Sequence, residues 1–336
     1  MKRMKRFVVC LLAITLLLSL FPSCASNQKL SESFFLMDTV ITVTLYTKNA
    51  DTASAVFSDC RNLLTELDAL WTRHGEGGDV ATINSSDTGC EISDPRTRDL
   101  LLRALKISTA TGGAFDITLA PLSTLWETCG EENRLPTDTE LSARLSLVGS
   151  HRLTVTDQGI KKPAGVQIDL GGIGKGEAIS LLLEAISDRE GIDGGLISFG
   201  SNVAVFGRKP DGNPFRVALR DPKDASGRAG TLTLREGEIL SVSGDYERFV
   251  TIQEKNYHHI LDPKTGYPSA SGLSSVAVIA SDGALADALS TALLVMGAEE
   301  ALAFHQAGKY EFEAILVTST GEVLTTNGIG EAFEQT

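Results

Sequence analysis

The chain has 336 residues, 42% of them hydrophobic, and a formal net charge of −13. That length and composition allow one large domain or two small ones with a buried core. The acidic balance excludes a generic nucleic-acid binder and leaves no cationic patch for a membrane surface.

Lys2, Arg3, Lys5 and Arg6 open the chain, an uncharged apolar run follows over 7–21, and Ser23-Cys24 leads into a polar stretch. This is the order of a secretory signal, and the run is short for a membrane span. An uncleaved anchor helix is the alternative. Cys24 behind a small residue is similar to a bacterial lipoprotein cleavage site, although Phe21 and Pro22 stand where that pattern has Leu and a small residue. Residues 1–23 then form the signal, 24–33 a lipidated tether, and 34–336 the folded body. Cys10 leaves with the signal and Cys24 takes the lipid. Cys60, Cys90 and Cys129 remain, an odd set without metal-ligand spacing, expected as buried thiols.

Alternation through Val40, Thr42 and Thr44 predicts a strand over 35–46. Val56, Cys60, Leu63, Leu64, Leu67 and Leu70 give 51–70 the period of an amphipathic helix. A Gly-rich loop over 71–79 follows. A second helix over 96–111 ends at Gly112-Gly113, which suits a left-handed cap. Thr137 and Glu140 suggest a capping box for a helix over 137–147. Strands are expected over 166–170, 196–206, 215–219, 231–234, 238–242, 249–252, 257–261 and 276–279, and a closing hairpin over 314–317 and 322–326. Helices are expected over 177–186 and 284–296. Strands in runs, with helices between the runs, predict an α+β fold. It should be one compact body of mixed, largely antiparallel sheets with packed helices.

Three places carry chemistry. Asp169-Leu170-Gly171-Gly172-Ile173-Gly174-Lys175-Gly176 runs from a strand through a Gly-rich turn into a helix, and exposed amides, a helix N-terminus and a lysine suit an anion. It fits neither a P-loop nor a dinucleotide fingerprint. The same turn also serves tight strand–helix packing. Asp287 and Thr291 share one face of an apolar helix, and a carboxylate there needs a partner. Mg²⁺ with phosphate oxygens is one partner. A lysine or arginine, with Thr291 bonded back to its own helix, is another. His258 and His259 should point to opposite faces of their strand, so that only one reaches inward. A base and a satisfied core histidine are both open readings of that one.

These blocks, together with Met37-Asp38-Thr39, Thr111-Gly112-Gly113-Ala114-Phe115-Asp116, Ser243-Gly244-Asp245-Tyr246-Glu247-Arg248 and His259-Ile260-Leu261-Asp262-Pro263, resemble the ApbE family of flavin transferases. They stand in family order over residues 37–297. The resemblance implies FAD as substrate, Mg²⁺, and transfer of FMN to a threonine of a target protein with release of AMP. FAD pyrophosphatase activity giving FMN and AMP, or a non-catalytic FAD-binding lipoprotein, are the alternatives. It implies that Met37, Ala114, Phe115, Asp116 and Leu261 hold the flavin and that Asp169 and Lys175 hold the nucleotide side. Gly174 (by its carbonyl), Asp287 and Thr291 fall on the metal, and His259 on the catalytic base. The flavin-stacking aromatic of many members falls at His74, with Trp71 the nearest indole. Alanine often replaces Gly174, and an aspartate sometimes replaces Ser290. The implied targets are membrane electron-transfer complexes of quinone reductase or Rnf type. The implied location is a lipid anchor on a bacterial membrane, facing the periplasm or cell exterior.

Overall fold

The computed structural model describes residues 27–224 and 226–336. The signal, Cys10 and Cys24 therefore lie outside the described residues. The fold opens with a hairpin of β1 (Gln28–Leu36) and β2 (Thr39–Thr47). Its two-residue turn, Met37-Asp38, has φ of 50° and 57°. A two-residue hairpin turn of this kind needs positive φ at both positions, and neither residue is a glycine. The segment read as the end of a tether, Gln28 to Ser33, is thus strand, because each of its residues pairs with one on β2.

The hairpin is one edge of an eight-stranded sheet. Beyond it, in spatial order, lie β6 (Ile192–Phe199), β7 (Asn202–Gly207), β10 (Ile239–Gly244), β13 (Leu273–Ala280), β14 (Glu313–Thr318) and β15 (Val323–Thr325). Each of these neighbours pairs antiparallel. All eight residues of β13 are buried, as a strand covered on both faces requires.

One face carries α1 (Ala50–Trp71), α6 (Gly174–Ser187) and α7 (Gly283–Met296), with α3 (Pro95–Ala110) behind them. The other face packs on a smaller sheet of β8 (Phe215–Arg220), β9 (Arg228–Leu234) and β16 (Phe333–Gln335). Phe215, Leu219, Leu232 and Leu234 meet Val205, Leu240, Ala277 and Ile279 there. A separate apolar cluster joins α4 (Ala120–Glu131) and α5 (Asp138–Leu145) to the hairpin of β11 (Phe249–Ile252) and β12 (Lys255–His258). Among the described residues no helix is long and apolar enough to cross a membrane.

The α+β class, with largely antiparallel sheets in one compact body, is the observed one. The Thr137–Glu140 capping box is present, and Gly112 and Gly113 take φ of 59° and 82°. Cys60 and Cys129 are buried free thiols, Cys90 is half-buried, and burial pushes Cys60 up to about 12. Four expected strands differ. The strand expected over 35–46 is broken by the Met37-Asp38 turn, so Phe35 and Leu36 belong to β1 and Thr39 onward to β2. Residues 196–206 form two strands that turn at Gly200, whose φ is 61°. Residues 166–170 join no sheet, because the Ile168 backbone bonds the Asn84 side chain and the Asp169 amide bonds the Ile117 carbonyl. Residues 257–261 lose strand pairing after His258, and Leu261 bridges Pro268 instead.

Candidate active site

A cleft of about 760 Å³ lies between the main body and the α4/β11–β12 cluster. Its floor depends on a close helix crossing. A Cβ on Gly176 would stand 2.0 Å from the Gly283 carbonyl oxygen and 2.6 Å from Asp287 Cβ. Only hydrogen at that position lets the first turn of α6 meet α7, and the meeting puts the Gly176 amide 2.9 Å from Asp287 Oδ2. Asp287 is 4% exposed. Ser241 Oγ lies 3.2 Å from its other oxygen, and Lys175 Nζ is 4.0 Å away. One turn on, Thr291 Oγ1 lies 3.2 Å from Ser243 Oγ, which meets Ser290 Oγ at 2.8 Å. Among the described residues Thr291 Oγ1 makes no bond back to its own helix, and Thr291 borders the cleft.

The Gly-rich turn supplies the adjoining wall. Asp169 accepts the Gly171 amide at 2.7 Å and pairs with Arg73 Nε at 3.1 Å. Arg73 also reaches Glu127 and Thr124 on α4, tying the two sides of the cleft together. Lys175 Nζ donates to the Gly171 carbonyl at 2.6 Å. A Cβ on Gly174 would meet Trp71 Cε3 at 3.6 Å and Met37 Cε at 3.8 Å, so the hairpin tip, α1 and α6 converge on this residue. Trp71 is buried, with its indole N–H donating to Thr97 Oγ1 at 3.1 Å, whereas His74 is exposed.

Ala114, Phe115 and Asp116 follow the Gly112-Gly113 turn and border the cleft. Asp116 has its oxygens committed within the protein. Oδ1 accepts from the Thr118 amide and hydroxyl and from Ser150 Oγ, and Oδ2 accepts from the Ser150 amide. Its visible work is to fix the loop that carries Ala114 and Phe115.

Both histidines border the cleft, so strand alternation does not separate them. The strand ends at His258, and alternation ends with it. Hydrogen bonding separates them instead. His259 Nδ1 lies 3.1 Å from the Arg248 carbonyl oxygen. A carbonyl can only accept, so Nδ1 carries the proton and Nε2 keeps its lone pair. His259 is open to solvent on one side and crowded by protein on the others. Desolvation is the main cause that lowers it to about 4, with Lys175, Arg248 and His258 adding to the fall and the Arg248 carbonyl opposing it. His258 Nε2 faces the Ser269 carbonyl at 3.0 Å, while its Nδ1 is buried without a partner.

All twelve residues that the sequence reading singled out border this one cleft: Met37, His74, Ala114, Phe115, Asp116, Asp169, Gly174, Lys175, His259, Leu261, Asp287 and Thr291. Arg73, Ser243, Glu247 and Arg248 also border it and had been given no role. The Arg248 guanidinium donates to the Asp38 carbonyl at 3.2 Å, linking the segment just before β11 to the Met37-Asp38 tip. Desolvation raises the Glu247 carboxyl, with Lys175 opposing. The charged pair Glu247-Arg248 beside His259 in the motif list was the available signal. Arg73 offered none beyond its place in a Gly-rich loop.

The donors around Asp287 and Thr291 are oxygens with a single carboxylate, and among the described residues no three His, Cys, Asp or Glu side chains gather as a metal site. Such a set suits a hard cation that completes its shell with water or phosphate oxygens.

A family model described as the ApbE family matches residues 37–316. A Vibrio cholerae protein named FAD:protein FMN transferase is 28% identical over 277 residues, covering 79% of this chain and 82% of its own. The crystal structure of an ApbE protein from Thermotoga maritima superposes with a TM-score of 0.83 at 28% identity, covering 92% of this chain and 100% of that one. The apo form of the Pseudomonas stutzeri flavinyl transferase ApbE gives 0.78 at 26% identity, covering 93% and 99%.

Proposed function

The chain belongs to the ApbE family, and from that premise we propose that it is an FAD:protein FMN transferase. The carrying observation is convergence: Met37, Ala114, Asp169, Lys175, His259 and Asp287 are far apart in sequence and border one cleft. FAD would lie with its flavin against Met37, Ala114 and Phe115 and its pyrophosphate over residues 171–176, where Lys175 and the start of α6 favour an anion. Trp71 and His74 also border the cleft, and either would stack on the flavin.

Asp287 and Thr291, with the Gly174 carbonyl, would hold Mg²⁺, which would neutralise charge developing on the phosphates. His259 is deprotonated at neutral pH and presents Nε2 as base. It would take the proton from a threonine hydroxyl of the target as the oxygen attacks the FMN-side phosphorus and AMP leaves. The Arg248 carbonyl holds the ring in the tautomer this step needs. Export and lipidation at Cys24 remain part of the proposal, since they would bring the cleft to membrane-held targets.

The test is mass spectrometry of a candidate target domain incubated with this protein, FAD and Mg²⁺. A gain of one FMN on a threonine, with AMP released in equal amount, is expected. Conversion of FAD to FMN and AMP with no adduct would replace the transferase reading by a hydrolase. FAD bound but unchanged would replace it by a carrier.

A further inference from the structure

Asp287 is held from both ends of its carboxylate. Oδ2 accepts the Gly176 amide at 2.9 Å, and Oδ1 lies 3.2 Å from Ser241 Oγ. Ser241 Oγ also lies 2.7 Å from Asn202 Oδ1. Ser241 and Asn202 are cross-strand partners on β10 and β7, and both are 0% exposed. A serine hydroxyl has one hydrogen, and neither an ionised carboxylate nor an amide oxygen can donate. In that amide orientation one of the two oxygen–oxygen contacts has no proton between its atoms. Asn202 Nδ2 is meanwhile buried with no partner among the described residues.

Turning the amide end for end removes the first fault and eases the second, and the two ends of an asparagine amide are nearly isosteric. Nδ2 then donates to Ser241 Oγ, and Ser241 donates its single hydrogen to Asp287 Oδ1. The unpartnered buried group becomes a carbonyl oxygen, which proteins tolerate more readily than an orphaned N–H.

We infer that Asn202 and Ser241 form a one-way hydrogen-bond relay that positions Asp287 for a divalent cation. The inference rests on the proposed role of Asp287 as a cation ligand. Two neutral donors fix the plane of the carboxylate. Each oxygen keeps a further lone pair, and Lys175 at 4.0 Å is beyond hydrogen-bond reach. Asn202 and Ser241 touch no reacting atom in this scheme. They are positioning residues, and partners of this kind are typically worth 10- to 100-fold in metal affinity.

Mn²⁺ is the probe, titrated into the FAD-bound full chain and followed by the paramagnetic resonance of the free ion. Ser241→Ala should raise the Mn²⁺ Kd about 10- to 100-fold. Metal-free FAD affinity should stay near wild type, the melting temperature should fall because the buried Asn202 donor loses its acceptor, and Ser241→Thr should recover most of both losses. The direction of the relay has its own readout. In its ionised form Asn202→Asp cannot donate and takes the Ser241 hydrogen for itself, so at a pH above its titration it should weaken Mn²⁺ as much as Ser241→Ala. Asn202→Leu leaves Ser241 free to donate to Asp287 and should cost less. Wild-type Kd in Ser241→Ala, with binding lost in Asp287→Ala, would overturn the relay alone. Equal or greater loss in Asn202→Leu than in Asn202→Asp would overturn its direction. Undiminished Mn²⁺ binding by Asp287→Ala would remove the premise, and the inference with it.

Discussion

The Gly176 amide donates to the Asp287 carboxylate at 2.9 Å, so the first turn of one helix is fastened to the middle of another at the floor of the cleft. The contact exists because Gly176 and Gly283 lack side chains: a Cβ on either would stand 2.0–2.1 Å from the other's carbonyl oxygen.

Two neighbouring glycines should therefore respond oppositely. Gly176→Ala forces the helices apart and should cost about 1–3 kcal/mol as an overpacked contact. It should also lower turnover by displacing Asp287. Gly174→Ala adds a Cβ at ordinary contact distance, 3.6 Å from Trp71 and 3.8 Å from Met37. It should keep activity and gain up to about 1 kcal/mol by restricting the unfolded chain. Thermal melts and turnover on both variants decide this. Loss of activity in Gly174→Ala would mean that the space beside Trp71 and Met37 is critical, and not the Gly174 carbonyl alone.

Asp287→Ala removes the only carboxylate expected on the cation and leaves Lys175 and the Gly-rich turn in place. Turnover should fall by about 10²-fold or more, the scale of losing one electrostatic group at a reacting centre. FAD affinity should change far less. The comparison belongs in limiting Mg²⁺, where an unaltered rate would dismiss Asp287 as a ligand.

The local signals that worked were those that depend on one residue type in one conformation. Thr137 and Glu140 announced their capping box, and Gly112-Gly113 their left-handed turn. Runs of Val and Ile announced β13. The failures share a cause: pairing partners are not written locally. Val166 to Leu170 is as apolar as a strand, yet its backbone partners are Asn84 and Ile117 from remote parts of the chain. The α4 helix passed unread although Pro121 sits in its first turn. The cleft residues came out together because six separated motifs carried them. The division of labour inside the cleft did not, since it depends on hydrogen bonds such as the four that Asp116 accepts.

Those four bonds set a further expectation. Asp116→Ala strands the buried donors of Thr118 and Ser150 and should lower stability by on the order of 3 kcal/mol. FAD binding should weaken as a consequence of a loosened loop. The melt of the FAD-free protein is the discriminating measurement. An unchanged melt with FAD binding lost would make Asp116 a direct ligand contact rather than a loop clamp.

The histidine pair gives the sharpest expectation. His259→Ala should keep FAD binding and lose most transfer, because a positioned base contributes on the order of 10²–10⁴-fold to rate. His258 borders the same cleft, but its Nε2 is held by the Ser269 carbonyl and its Nδ1 is buried. His258→Ala should therefore act mainly on stability and leave the rate per folded molecule much closer to wild type. A dead His258→Ala beside an active His259→Ala would exchange the two roles. The pH profile is a second check. With His259 lowered to about 4 from 6.5, the free enzyme should retain its base through pH 5–6, and kcat/KM should turn down only as pH nears 4. Stability should move with the same group. Between pH 6.5 and 4 the unfolded chain binds a proton that the folded chain refuses, so His259 makes stability fall as pH drops through that window. Above pH 6.5 neither state is protonated there, and the contribution is flat. His259→Ala should remove that acid-side slope from the melting curve, and a slope identical to wild type would place the lowered value on some other group.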